Sequence, residues 1–160
     1  MSRVTRARNV AAPPPAVWAL LAAFDSIVEW APNVDHSCLL TEQVDDVGAV
    51  RRVQSGPVTL VERVITWEPG LMVAYTIEGL PPIVRRATNT WVVRPSDGGA
   101  GRDGGDGGTS VTVITDIEMA SSPLGVVAGR IVGRKLGEAS DTMLDGLARA
   151  VSQTRMEGAS

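Results

Sequence analysis

Polar and apolar positions alternate weakly in "RVTRARNV", and this period of two predicts a first strand over Arg3–Val10. The period then lengthens. In "APPPAVWALLAAF", Val17, Leu20, Leu21 and Phe24 recur at helical spacing. The prolines ahead of them suit the first turn of a helix, whose backbone N–H groups have no partner to lose. A second short helix is expected in "DSIVEWAPN", with Asp25 as N-cap and Pro32 and Asn33 marking its end. From Val34 to Met119 the short period returns. Strands are predicted over 34–41, 48–54, 58–68, 71–79, 84–94 and 110–119, punctuated by "DDVG", "SGP", "EPG" and "GLPP". From Ser122 to about Arg155 the pattern is helical again, with Ser122 as cap and Pro123 at the first helical position. Leu136, Ala139, Met143, Leu147 and Ala150 form its apolar face.

Strands and helices do not alternate, so a doubly wound parallel sheet is not expected. The natural solution is an α+β domain spanning residues 1–160, an antiparallel sheet with helices on one side. A strongly curved sheet can wrap around one long helix, and such a grip leaves room for a cavity. The segment "SDGGAGRDGGDGGTS" is almost all glycine and aspartate. Its "GGAGRD" resembles the start of a calcium-binding nonapeptide repeat, but those sites need stacked copies and here there is one. A flexible hairpin loop over 96–109 is the expectation.

Charge and composition narrow the function. A net charge of −3 and a pI near 5.1 argue against a nucleic-acid partner, which needs a basic footprint. One cysteine, Cys38, rules out an internal disulfide. No signal peptide and no apolar run long enough for a membrane span is read, so a cytoplasmic protein is expected. Arginine carries nearly all the basic charge, with Lys135 the one lysine, which suggests a GC-rich, bacterial source. His36 is the single histidine and shares a strand face with Cys38; two such residues do not make a zinc site. No phosphate-binding loop or nucleophile elbow occurs, so neither metal nor cofactor is expected.

Two patterns hold chemistry. Gly125, Gly129, Gly133 and Gly137 lie four apart in the last helix, each costing about 0.8–1.0 kcal/mol of helix stability against alanine. They mark either a close approach by a strand, a ligand or a second subunit, or a helix half that frays. The second pattern is charge inside strands. In "TLVERVITW", Leu60, Glu62, Val64 and Thr66 share one face and Val61, Arg63, Ile65 and Trp67 the other. Both faces carry apolar residues, so the period does not choose between Glu62 and Arg63. "AVRRV" leaves Arg51 and Arg52 equally open. Tyr75 shares a cleaner apolar face with Leu71, Val73 and Ile77, and Asn89 groups with Ala87, Trp91 and Val93.

"VAAPPPAVWALLAAFDSIVEWAPNV", "VGAVRRV" and "LVERVITWEPGLMVAYTIEG", followed by a long terminal helix, resemble the polyketide cyclase/dehydrase and lipid-transport family. That family belongs to the START-like, or Bet v 1-like, SRPBCC superfamily. The resemblance implies a helix-grip fold with an internal cavity, and it turns Glu62 and Tyr75 inward and Arg63 outward. On this carry-over the ligand-binding wall comprises Leu60, Glu62, Val64, Tyr75, Ile77, Ala87, Asn89 and Trp91. Val113, Thr115 and Ile117 extend it, and Leu136, Ala139 and Met143 close it from the last helix. The implied partner is a small hydrophobic ligand such as a lipid, polyketide or isoprenoid. A cyclase, aromatase or dehydratase using Glu62 and Tyr75 as catalytic groups is the second reading. A subunit that forms a homodimer through the glycine-rich helix is the third. Related aromatase/cyclases carry an arginine in the pocket, and the sequence alone matches none to it.

Overall fold

The structure is a computed structural model that describes the backbone of residues 1–96 and 108–157 and the side chains through 153. The chain runs β1 (Ser2–Val10), α1 (Pro14–Ala22), a 3-10 segment (Phe24–Glu29), β2 (His36–Leu39), β3 (Val50–Ser55), β4 (Val58–Glu68), β5 (Met72–Glu78), β6 (Val84–Pro95), β7 (Thr109–Met119) and α2 (Pro123–Glu157). The seven strands form one antiparallel sheet in the order β1-β7-β6-β5-β4-β3-β2. β1 and β2 are its edges. This is the α+β helix-grip architecture, a curved sheet with a long terminal helix. No helix among the described residues is long and apolar enough to cross a membrane. Residues 97–107, where most of the flexible loop is expected, lie outside the described residues; the flanking strands close with Ser96 N–H donating to the Gly108 carbonyl.

The core forms on the concave face. Ala87, Asn89, Trp91 and Val93 of β6 and Val111, Val113, Thr115 and Ile117 of β7 alternate with half-buried residues, so the period of two holds through both strands. In β4 it breaks. The register with β5 shifts between Val64 and Thr66, a bulge that inserts one residue and reverses the alternation beyond it. Trp67, expected beside Arg63, therefore pairs with inward-facing Val73 and meets Trp18 of α1 edge to face, centroids 5.2 Å apart.

Two local expectations need correction. Asp25 does not cap the second helix: the element begins at Phe24, its N-cap is Ala23, and no side chain bonds there. The element is a 3-10 helix kinked at Ser26 and ends at Glu29, ahead of Pro32. A segment bounded by a kink and a nearby proline is too short to develop the hydrogen-bond ladder of an α-helix. Ser122, in contrast, accepts the Gly125 N–H at 3.0 Å and caps α2 as expected.

The glycine stripe decides how α2 sits. Gly125, Gly129, Gly133 and Gly137 are buried, followed on the same drifting stripe by Ser140, Leu144, Leu147 and Val151. A methyl group at Gly133 would touch Val4 of β1 and Ile117 of β7, and one at Gly137 would meet Val4 and Arg6. At Gly129, Gly133 and Gly137 the close approach is thus to the chain's own strands β1 and β7. Leu136, Ala139 and Met143 flank this contact half-buried. Periodicity counted the apolar side chains and so placed the buried face about one row away.

Candidate functional site

Strand pairing places Arg51 of β3 directly opposite Glu62 of β4, both pointing into the concave face. They are 3% and 4% exposed. Arg51 Nε donates to Glu62 Oε2 at 2.6 Å, and Nη1 donates to the Phe24 carbonyl at 2.7 Å. The guanidinium lies over the Phe24 ring, 3.9 Å from its centroid, and 4.9 Å from that of Tyr75. Cation–π attraction is strengthened by such desolvation. Arg63 of β4 and Glu78 of β5 are exposed, so among the described residues the inward carboxylate and the inward guanidinium are each other's charged partner here.

Tyr75 is buried beside the pair. Its hydroxyl accepts from Trp91 Nε1 at 3.1 Å. Burial pushes its phenol above the usual tyrosine range, and the neighbouring Glu62 charge adds to this; Arg51, Trp91 and Asn89 oppose it. Asn89 Oδ1 in turn accepts from Thr115 Oγ1 at 2.7 Å. The inner wall therefore carries one ion pair and two short hydrogen-bonded chains in an otherwise apolar surface.

A small space remains in front of these groups, about 10 Å³, bordered by Leu21, Phe24, Ile27, Trp30, Arg51, Val73, Tyr75 and Trp91. That is close to the room one water molecule needs. The space lies against α1 and the 3-10 segment. Leu136, Ala139 and Met143, expected to close the cavity, do not border it, because the glycine stripe seats α2 on β1 and β7. Tyr75 and Trp91 do border it, and Glu62 stands behind Arg51. Val64, Ile77, Ala87, Asn89, Val113, Thr115 and Ile117 are buried on the same wall, and Leu60 is half-buried. Larger hollows of 220 and 440 Å³ open on the outside, where Arg3 and Arg6 are already paired with Asp116 and Asp141. His36 and Cys38 are exposed on edge strand β2.

Sequence reasoning left the side of Arg51 open, with Glu62 on the neighbouring strand within its reach, and did not place Phe24 and Trp30 in the site. The i, i+2 register from Arg51 to Val53 distinguishes Arg51 from Arg52 only once Val53 is known to face inward.

A model of the family described as polyketide cyclase / dehydrase and lipid transport matches residues 1–152. The chain belongs to this family. Among solved structures it is similar to the ZhuI aromatase/cyclase of Streptomyces sp. R1128, with 17% identity, a TM-score of 0.75, and 95% of this chain and 94% of that one covered. It is also similar to a START superfamily protein of Mycobacterium smegmatis, with 15% identity, a TM-score of 0.72, and coverage of 95% and 98%. At these identities the likeness is one of fold. No curated protein matches the chain significantly.

Proposed function

We propose that this family member binds a small hydrophobic ligand, lipid-, polyketide- or isoprenoid-like, with a polar end directed at the Arg51–Glu62–Tyr75 cluster. The observation that carries the reading is the buried ion pair itself. Replacing a buried pair by apolar residues is often neutral or stabilising, so folding alone gives little reason to keep one. A mostly apolar wall with a few placed polar groups is the usual build of a small-molecule site. The small free space implies that a ligand of this class enters by displacing α1 and the 3-10 segment, whose Phe24, Ile27 and Trp30 fill the front of the site.

Native mass spectrometry of freshly purified protein, followed by organic extraction, tests this. A lipid-like adduct that is lost in Arg51→Met is expected. Protein that carries no adduct and that no hydrophobic library stabilises against heat would remove the reading.

The position of Arg51 favours one second reading. The sequence alone matched no arginine to the pocket with assurance, and the inward position of Arg51 makes it our candidate for that role. In a cyclase- or dehydratase-type enzyme it would polarise a substrate carbonyl next to Tyr75. Turnover of a polyketide-like substrate that disappears in Arg51→Lys while ligand affinity persists would move the function from carrier to catalyst.

A further inference from the structure

Three indole and phenol groups, Trp30, Tyr75 and Trp91, border the residual space, and their partners differ. Tyr75 accepts from Trp91, and Arg51 is committed to Glu62 and the Phe24 carbonyl. Trp30 is 7% exposed, borders the space, and its Nε1 has no hydrogen-bond partner. The ring is fixed edge to face against Trp91, centroids 5.7 Å apart. A buried donor without an acceptor costs about 1–3 kcal/mol, and most such groups in folded proteins are satisfied. An indole N–H only donates; it cannot accept.

We propose that Trp30 Nε1–H is the specificity-determining donor of the site and takes an oxygen acceptor of the ligand, a carbonyl or ether on an apolar ring or chain. The proposal rests on the ligand-binding reading above and narrows it. The indole donor excludes an ammonium group from this point, because it has no lone pair to accept with. The Arg51 guanidinium, which borders the same space, adds like-charge repulsion against a cationic ligand. A pure hydrocarbon would leave the donor unpaired and lose to an oxygenated analogue of the same shape.

The two bicyclic probes 1-tetralone and tetralin differ by that one oxygen. Both are titrated into protein labelled with nitrogen-15, and the indole N–H signals of the four tryptophans are followed. The Trp30 signal is assigned by its loss in Trp30→Phe, or from through-space contacts in the parent protein if that variant does not fold. Saturation with tetralone is expected to move the Trp30 signal to lower field, and tetralin is not. Binding should favour tetralone by about tenfold, and Trp30→Phe should abolish the preference. If both probes bind and the Trp30 signal does not distinguish them, as when a resident water already holds the N–H, this proposal is overturned and the ligand-binding reading stands. If neither binds, both fall together.

Discussion

At the scale of single residues, Arg51 and Glu62 set the energetic question. Each charge is tolerated inside the sheet because the other is 2.6 Å away. Removing one partner, as in Glu62→Leu, leaves a buried guanidinium uncompensated and should destabilise by about 3–5 kcal/mol. The double replacement Arg51→Met with Glu62→Leu should recover most of this and land within about 1 kcal/mol of the parent, or above it. Urea unfolding of the three variants reads both numbers. A double variant as unstable as the single one would show that the pair supports the fold. Tyr75 offers a second reading of the same environment. It is the protein's one tyrosine, so tyrosinate absorbance reports it alone. Its folded-state pKa is raised by burial first and by Glu62 second. A raised pKa means the folded state holds the proton longer. The stabilising contribution is therefore complete below about pH 10, the unfolded value, and is lost as pH climbs through the folded one. Tyrosinate should appear only together with loss of near-ultraviolet circular dichroism. Smooth ionisation near pH 10 in a still-folded protein would contradict the buried placement. Of these residues, Glu62 and Tyr75 were legible in the sequence through family resemblance. The side of Arg51 was not, because "VRRV" puts one valine on the face of each arginine, Val53 with Arg51 and Val50 with Arg52, so the strand's two faces look alike.

At the scale of elements, α2 and β1 are joined by matched spacings. Arg6 and Arg8, two apart on a strand, lie about 6.8 Å from each other along it. Asp141 and Asp145, four apart on a helix, lie about 6.0 Å apart. The near-equality lets Arg6 pair with Asp141 and Arg8 with Asp145 at once. All four side chains are well exposed, so these pairs set alignment and add about 0–1 kcal/mol each. Depth is set by the glycines, and their surroundings differ. A Cβ at Gly133 would make ordinary contacts with Val4 at 3.6 Å and Ile117 at 4.0 Å. Gly133→Ala should therefore stabilise by up to about 1 kcal/mol through helix propensity. A Cβ at Gly146 would collide with the Trp30 carbonyl and the Pro32 ring. Gly146→Ala should lower the thermal midpoint, with a cost of about 1–3 kcal/mol for overpacking. Thermal unfolding of both variants checks the opposed signs, and a loss at Gly133 would mean that α2 does not rest on β1 as described. Element order, strand positions and the terminal helix were all readable from period and turn residues. The bulge at Val64–Thr66 was not, since an inserted residue leaves no compositional trace in a run of Val, Ile and Thr. The buried face of α2 was not either, because glycine carries no hydrophobic signal even where it marks the closest contact.

At the scale of the whole molecule, the two sides of the grip differ in firmness. On one side α2 is seated against β1 and β7 by glycine contacts and carries Leu144, Leu147 and Val151 into the core. On the other, the 3-10 segment is a short element kinked at Ser26, with the Ser26 N–H donating to the Ala23 carbonyl and the Trp30 and Ala31 N–H groups both donating to the Ile27 carbonyl at its ends. It is tied to the sheet at the Phe24 carbonyl, which accepts from Arg51, and at Ser37 of β2, which accepts the Val28 N–H and donates to the Asp25 carbonyl. Phe24, Ile27 and Trp30 are also the residues that fill the front of the residual space. On the proposed reading, the segment that covers the space is a short kinked 3-10 helix, and one of its tethers is the charge at which the ligand would be aimed. Local opening there requires little burial to be lost beyond three side chains. Two consequences follow for amide hydrogen exchange. Without ligand, the Ser26, Trp30 and Ala31 amides should exchange faster than those at the centre of the β6–β7 pair. With ligand at a hundred times its Kd, they should slow by about a hundredfold, because the open segment does not hold the ligand. Amides where edge strand β1 pairs with β7, away from the residual space, should not change. Slowing confined to α2, with the 3-10 amides unaffected by a ligand that demonstrably binds, would place the entrance on the opposite side of the grip and separate Arg51's tether from ligand entry.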